Sequence, residues 1–257
     1  MIWALSAAAL AFVGPADVAG PPKSSGPAKA GGPTAPRPVR DMRGIASAAI
    51  AACDAAASLR AKIRIESRGH NGRAVLTDRS TGTYEQLRDN AVLKWRTVMT
   101  NKVTAVQDKI RGTVVEQDVE MVSNGRHIYT LTVRDGQKSV VRNDHDRERS
   151  VMADRAFFTK VAQQTIVKVL DDEEIDGHDC WVFETRPQRP TREAPARRRY
   201  YVRKDCGVRV KETAYDHGGQ RIHITTITDL ELNAPIEKKR FIFTAPEGVQ
   251  VMDLTAR

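Results

Sequence analysis

From Leu59 onward the chain alternates apolar and polar residues. LRAKIRIESRG (59–69) sets Leu59, Ala61, Ile63 and Ile65 on one side and Arg60, Lys62 and Arg64 on the other. That is the period of a strand with one buried face. The period returns in 82–88, 92–101, 112–123, 127–134 and 137–143, then in 166–175, 179–186, 197–205, 207–215 and 220–232. Asn124-Gly125 and Asp135-Gly136 signal short turns between neighbours. Two segments break the rhythm. Residues 41–58 are Ala-rich, with Ile45, Ala49, Ala52 and Ala56 spaced as one helical stripe and Cys53 in the same helix. Residues 153–164 place Phe157, Val161 and Gln164 on one side of a second helix. A helix, a meander, an inserted helix and more meander predict a mainly β fold, a curved antiparallel sheet or incomplete barrel. The helices are too few for a doubly wound fold, and no repeat of 20–50 residues is visible.

The N-terminal part does not fit that pattern. Residues 2–13 are an apolar run of the length of a signal-peptide core, with small residues suited to cleavage following it, although no basic residue precedes it. Residues 1–19 are therefore expected to be a signal peptide; an Ala-rich disordered N-terminus is the alternative. GPPKSSGPAKAGGPTAPRP (20–38) is too polar and Pro/Gly-rich to offset chain entropy, so 20–40 reads as a linker and 41–257 as the folded domain.

Charge and chemistry narrow the function. A net charge of +9 points to anionic partners. No G-x-S-x-G, P-loop or H-E-x-x-H occurs, and the six histidines are scattered. His217 and His223 read as exposed turn residues. The run Asp171-Asp172-Glu173-Glu174 reads as a solvated strand end, since calcium needs a loop of defined ligand spacing. No metal, no cofactor and no catalytic residue is expected, and the chain reads as a non-enzyme. Nucleic acid is disfavoured because the arginines lack interleaved aromatics and no reading motif is present.

The C-terminal 60 residues carry a set of ordered signals: Tyr200-Tyr201 on one strand, Asp205 and Gly207 at its end, a turn at Gly218-Gly219, a long strand, then Asn233, Ile236, Phe241, Phe243, Pro246, Gly248 and Val249. This order resembles the outer-membrane lipoprotein carrier (LolA-like) family, with Asp205-Cys206-Gly207 one residue shorter than the usual spacing. The resemblance implies a half-open sheet that holds its helices against the concave face, with an apolar cavity for acyl chains between them. On that implication Ile63, Ile65, Leu93, Trp95, Tyr129, Leu131, Phe157, Phe158, Val161, Trp181 and Phe183 line the cavity or build ordinary core. Phe241 and Phe243 are expected on one face of a late strand, with a Pro246-Glu247-Gly248 turn leading to a last strand.

A carrier needs no catalytic group. Each buried methylene contributes about 0.8 kcal/mol, so a long acyl chain gains on the order of 10 kcal/mol on leaving water. The expected function is an exported lipid or lipoprotein acyl-chain carrier, monomeric, in the periplasm or otherwise outside the cytoplasm. The alternative is a sensor or scaffold of the same fold that binds a protein partner and carries no cargo. Large side chains sealing the cavity favour the sensor, and an open apolar mouth favours the carrier. The Arg-rich tip RPQRPTREAPARRR, with Arg192, Arg197, Arg198 and Arg199, is a docking candidate for an anionic membrane surface or an acidic envelope protein, or a solvated tip. If strands 179–186 and 197–205 form a hairpin, Cys180 falls near Cys206, and a disulfide there would stabilise by roughly 3 kcal/mol in an oxidising compartment. Two free thiols are the alternative, with Cys53 left over.

Overall fold

The computed structural model describes residues 41–71, 74–90, 92–107, 110–144, 150–191 and 194–255. The expectations for residues 1–40 and for Arg192 lie outside them. Helix α1 (Met42–Asp54) starts at Asp41, whose carboxylate accepts the Gly44 N–H at 2.7 Å, an N-cap that satisfies one free donor of the first turn. Six strands follow: β1 (Ser58–Asn71), β2 (Ala74–Asp89), β3 (Val92–Gln107), β4 (Ile110–Ser123), β5 (His127–Arg134) and β6 (Gln137–Asp144). Helix α2 (Arg155–Gln164) is capped by Asp154, which accepts the Phe157 N–H at 2.9 Å. After it come β7 (Thr165–Val169), β8 (Glu173–Ile175), β9 (His178–Pro187), β10 (Arg197–Arg203), β11 (Arg209–Tyr215), β12 (Arg221–Leu232) and β13 (Val251–Asp253). Among the described residues no helix is long and apolar enough to cross a membrane.

All thirteen strands join one curved sheet in the order β13-β6-β5-β4-β3-β2-β1-β12-β11-β10-β9-β7, with β8 beside β9. The end strands β13 and β7 do not pair, so the sheet stays half-open, as the resemblance implies. Directly opposed residues of neighbouring strands share a face, so the register sorts every side chain. Leu59, Ala61 and Ile63 share the inner, helix-bearing face with Tyr84, Trp95, Thr97 and Met99. Arg60, Lys62 and Arg64 fall on the outer face with Glu85 and Arg96. The inner face forms the core: Leu59, Tyr84 and Trp95 are all but inaccessible.

The strand ends are clamped across the sheet. Asn233, in the left-handed region at φ 53, accepts the Ala57 N–H through its side chain at 2.9 Å, while its own N–H reaches the Ser58 carbonyl at 2.8 Å. These bonds hold residues 57–58 in strand geometry and end α1 at Asp54, short of the expected 58.

The C-terminal segment departs from expectation. RFIF is not a strand. Lys238–Phe241 forms a short 3-10 helix, and the chain then crosses the outer face as a strap. Arg240 donates to Glu85 at 2.8 Å, Lys238 to Asp89 at 2.8 Å, and Phe243 stacks on Tyr129 with ring centroids 5.0 Å apart. Phe241 is buried and Ile242 points to solvent. The Pro246-Glu247-Gly248 turn forms, with the Val249 N–H on the Pro246 carbonyl at 3.1 Å and Gly248 at φ 74. It delivers β13 parallel to β6, not antiparallel to its predecessor in the chain. Phe241 and Phe243 thus pack on a face of the sheet instead of pairing as a strand.

Candidate functional site

The inner face divides into two halves. Over β9, β10 and β7 the helices seal it. Register places Trp181, Phe183 and Thr185 of β9 beside Val202, Tyr200 and Arg198 of β10, and α2 inserts Phe157 and Phe158 over them. Phe157 lies 5.3 Å from Tyr200, edge to face, and 6.3 Å from Phe183; Phe158 lies 6.2 Å from Phe183. The Arg209 guanidinium covers the Phe157 ring at 4.4 Å. Arg209 also donates to the Ser150 carbonyl and lies 3.5 Å from Glu212, which Arg198 pairs with as well. Desolvation and the Glu212 charge push the Tyr200 phenol up to about 12. From α1, Ile45 and Ala49 complete this packing. What stays open between α1 and α2 is a cleft of about 170 Å³ edged by Asp54, Arg88, Leu93, Met152, Asp154 and Arg155. That is below the roughly 300 Å³ at which small-molecule sites begin.

Beneath the helices a polar cluster is satisfied internally. Tyr84 Oη donates to Gln86 Oε1 at 2.7 Å, and Ser150 Oγ donates to the same atom at 3.0 Å. Full burial raises the Tyr84 phenol far above its ordinary value.

The second half is the arm of β1 to β4 that extends beyond the helices. Its inner face carries a polar band. One row runs Ile65, Ser80, Asn101, Gln117 and the next Ser67, Asp78, Val103, Val115. Asn101 Oδ1 is buried and makes no hydrogen bond among the described residues. Desolvation raises the Asp78 carboxyl, with only a 3.5 Å hydrogen bond from Ser80 to oppose it. Ser67 Oγ meets His223 Nδ1 at 2.8 Å, and His223 Nε2 meets Thr225 at 2.9 Å. Burial holds the His223 imidazole below its ordinary value, so His223 is not the exposed turn residue expected. A hydrolytic Ser–His pair needs a carboxylate or amide to orient the base; here the second nitrogen of His223 meets a threonine.

Solved structures with a similar course of chain include a MucA/MucB complex from Pseudomonas aeruginosa, 14% identical over 78% of this chain and 61% of that one, with a TM-score of 0.44. A putative outer membrane lipoprotein-sorting protein domain from Vibrio parahaemolyticus is 13% identical over 77% of this chain and 94% of that one, TM-score 0.35. An uncharacterized protein from Thermus thermophilus is 9% identical over 81% and 99%, TM-score 0.42. A family model described as an uncharacterized protein matches residues 148–244. Among curated proteins none matches the sequence.

The expected cavity residues separate by face. Ile63, Ile65, Leu93, Trp95, Trp181 and Phe183 lie on the inner face, and Phe157, Phe158 and Val161 project from α2. Tyr129 and Leu131 do not join them. They pair with Val122 and Glu120 on the outer face, and Tyr129 sits under the strap. The alternation of β5 is clear, but the four strands between it and β12 fix which phase points inward. The tip arginines also separate. Arg197 and Arg199 approach Glu184 on the outer face at 2.7 and 3.8 Å, whereas Arg198 turns inward to Glu212. Cys180 and Cys206 are not bonded: all three cysteines are buried free thiols. Cys180 pairs in register with Arg203, and a tight turn, closed by Gly207 N–H to the Arg203 carbonyl at 2.9 Å, carries Cys206 away toward α1. There the Cys53 thiol donates to the Gly207 carbonyl at 3.2 Å. Sequence reasoning missed the band residues Ser67, Asp78, Ser80, Asn101 and Gln117. Their signal was polar residues in phase with Ile63 and Ile65, at positions where a sealed core would place apolar ones.

Proposed function

We propose that this chain is an exported, non-catalytic binding protein of the cell envelope, and that the inner face of the β1–β4 arm receives a polypeptide segment of a protein partner. The polar band carries this reading. A hydrocarbon chain laid over this band would leave Asn101 Oδ1 without a partner and the Asp78 carboxylate with only its long Ser80 bond, at about 1–3 kcal/mol apiece. Backbone and side-chain amides of a peptide would pair with them and still cover Ile65, Val103 and Val115. The sealed half supports the same choice. Burying an acyl chain there means expelling Phe157, Phe158 and Val161, each worth about 1.5–3 kcal/mol of burial, from their packing on Trp181, Phe183 and Tyr200. The apolar run at residues 2–13 supports export.

The test is native mass spectrometry of the chain purified from an envelope fraction, before and after solvent extraction, with a fluorescent fatty acid added in parallel. The expected result is a mass without lipid and no fatty-acid uptake. A bound lipid that extraction removes would overturn the proposal in favour of the acyl-chain carrier. A photo-crosslinking residue placed at Gln117, on the band, is expected to yield a protein adduct that the same residue at Lys102, on the outer face, does not.

A further inference from the structure

Among the described residues the strap covers the outer face around Glu85, Asp89 and Tyr129 and leaves bare the far outer ends of β2 to β4 and the part formed by β7, β9, β10, β11, β12, β1 and the neighbouring edge of β2. Register carries three rows of side chains across this bare part. The central row has Lys168 and Arg199 flanking Glu184 and continues through Thr213 and Ile224 to Glu66 and Arg79. Toward the hairpin tip, Ile166 lies opposite Arg186, and Arg197 and Arg221 lie on either side of Tyr215. The third row holds Lys211 and Arg64 around Thr226. Farther along β1 and β12 Lys62 pairs with Asp229, and Arg60 with Glu231 and Glu85, while on these three rows three, three and two cations face two carboxylates. Those carboxylates are already shared: Glu184 among Arg186, Arg197 and Arg199, and Glu66 between Arg64 and Arg79. Lys168 and Arg221 are exposed. At about 4.8 Å between strands, the seven strands spread this surplus over roughly 30 Å.

We propose that this bare outer face docks on an anionic lipid surface. A protein partner would need a hollow for an anchoring side chain or a free aromatic of its own to bury. The aromatics here are already taken: Tyr215 is capped by Arg197 at 3.9 Å and Tyr201 by Lys211 at 4.8 Å. The surface offers distributed charge, which suits a diffuse layer of head groups, where each basic residue contributes about 1 kcal/mol. Ile166, 64% exposed on the edge strand beside Arg186, supplies an apolar contact at the rim. The inner-face ligand plays no part in this docking, so either proposal stands if the other fails.

The test is co-sedimentation of the full chain with vesicles of phosphatidylcholine alone or mixed with phosphatidylglycerol, at about 0.1 M and about 1 M salt, where the Debye length falls from about 10 to 3 Å. Binding is expected only to the anionic vesicles and only at the lower salt. The quadruple variant Lys168→Gln, Arg186→Gln, Arg221→Gln, Arg79→Gln is expected to lose at least a hundredfold in partitioning, with its circular dichroism and melting unchanged. A control of equal charge loss elsewhere, Arg43→Gln, Arg126→Gln, Arg134→Gln, Lys138→Gln, is expected to lose less than tenfold. The proposal is overturned if the wild type ignores anionic vesicles, if both quadruple variants lose binding equally, or if the face binds polyglutamate or single-stranded DNA while vesicles stay free.

Discussion

Gly207 is where α1 meets the sheet, and replacing it tests how tightly the helix is seated. Its φ of 68 lies in the left-handed region, which costs a residue with a side chain about 1–2 kcal/mol. The space is also taken. A Cβ at 207 would fall 2.3 Å from the Ala49 carbonyl oxygen and 2.6 Å from the Cys53 sulfur. The first of these is helix backbone and cannot rotate away, so α1 itself would have to lift. Overpacking of this kind costs about 1–3 kcal/mol. Gly207→Ala should therefore lose about 2–5 kcal/mol, a large part of the 5–15 kcal/mol that ordinary domains have. Urea denaturation followed by tryptophan fluorescence measures it. With m near 1–3 kcal/mol/M, the midpoint should fall by about 1–2 M with m unchanged.

The double variant Cys53→Ala, Gly207→Ala separates the two contacts. It removes the sulfur but leaves the Ala49 oxygen in place, so it should remain destabilised relative to Cys53→Ala by more than the conformational term alone. Loss of less than 1 kcal/mol in the single variant, or full rescue in the double, would refute the claim that helix backbone closes over this turn.

Three further outcomes follow from the same geometry. Phe241→Ala should cost about 3–5 kcal/mol, because a fully buried ring leaves a cavity under the strap; a thermal melt shifted by only a degree or two would mean the strap adds nothing to stability. Burial pushes the Cys53 and Cys206 thiols up to about 12 and Cys180 up to about 11, so at pH 8 Cys180 should react with a disulfide reagent about two hundredfold, and Cys53 and Cys206 about two thousandfold, more slowly than a free thiol of pKa ≈ 8.5, with all three reacting on unfolding; fast labelling of any one before unfolding would contradict the packing. Asp78→Asn should stabilise at neutral pH, since burial without a cation raises the folded carboxyl pKa: wild-type stability falls as pH rises from the unfolded value through the folded one, and the gain from Asn should vanish below the unfolded value near 3.8. Denaturant midpoints at acid and neutral pH decide it.

Much of the fold was legible because each strand carries its own contrast. The meander of β1 to β6, the inserted helix and the β9–β12 strands follow from alternation, and the Asp135-Gly136 turn appears with both residues at positive φ. Legibility failed where contrast vanished. β2 begins at Ala74, not at 82, because AVLTDRST places polar groups on both faces; pairing with β1 and β3 holds it in the sheet, not its own pattern. The same loss of contrast hid the polar band, since Asp78 and Ser80 belong to that stretch. At the C-terminus the contrast was real but misleading. The alternation of Phe241, Ile242 and Phe243 matches a strand, yet the segment lies on the outer face as a strap, with Arg240 on Glu85 and Phe243 on Tyr129. Alternation also cannot tell which phase is inner, which is why Tyr129 and Leu131 were grouped with Trp95.

The strap decides more than the stability of one edge. By covering Tyr129 and pairing Arg240 with Glu85 and Lys238 with Asp89, it covers the end of the β2–β5 outer face nearest the β2–β3 turn with its own cations. On the opposite part nothing comparable among the described residues crosses the rows of Lys168, Arg199 and Arg64, so their surplus charge faces outward. The inner face shows the same division in reverse. The helices fill the β7–β10 half and leave the β1–β4 arm open. The open inner surface and the bare basic surface therefore lie on opposite sides of the sheet and share only β1 and the edge of β2. A ligand on the arm would face away from anything the basic rows rest on. Such a sheet can hold a partner segment and a surface at once, and substitutions in one region should leave the other's binding unchanged.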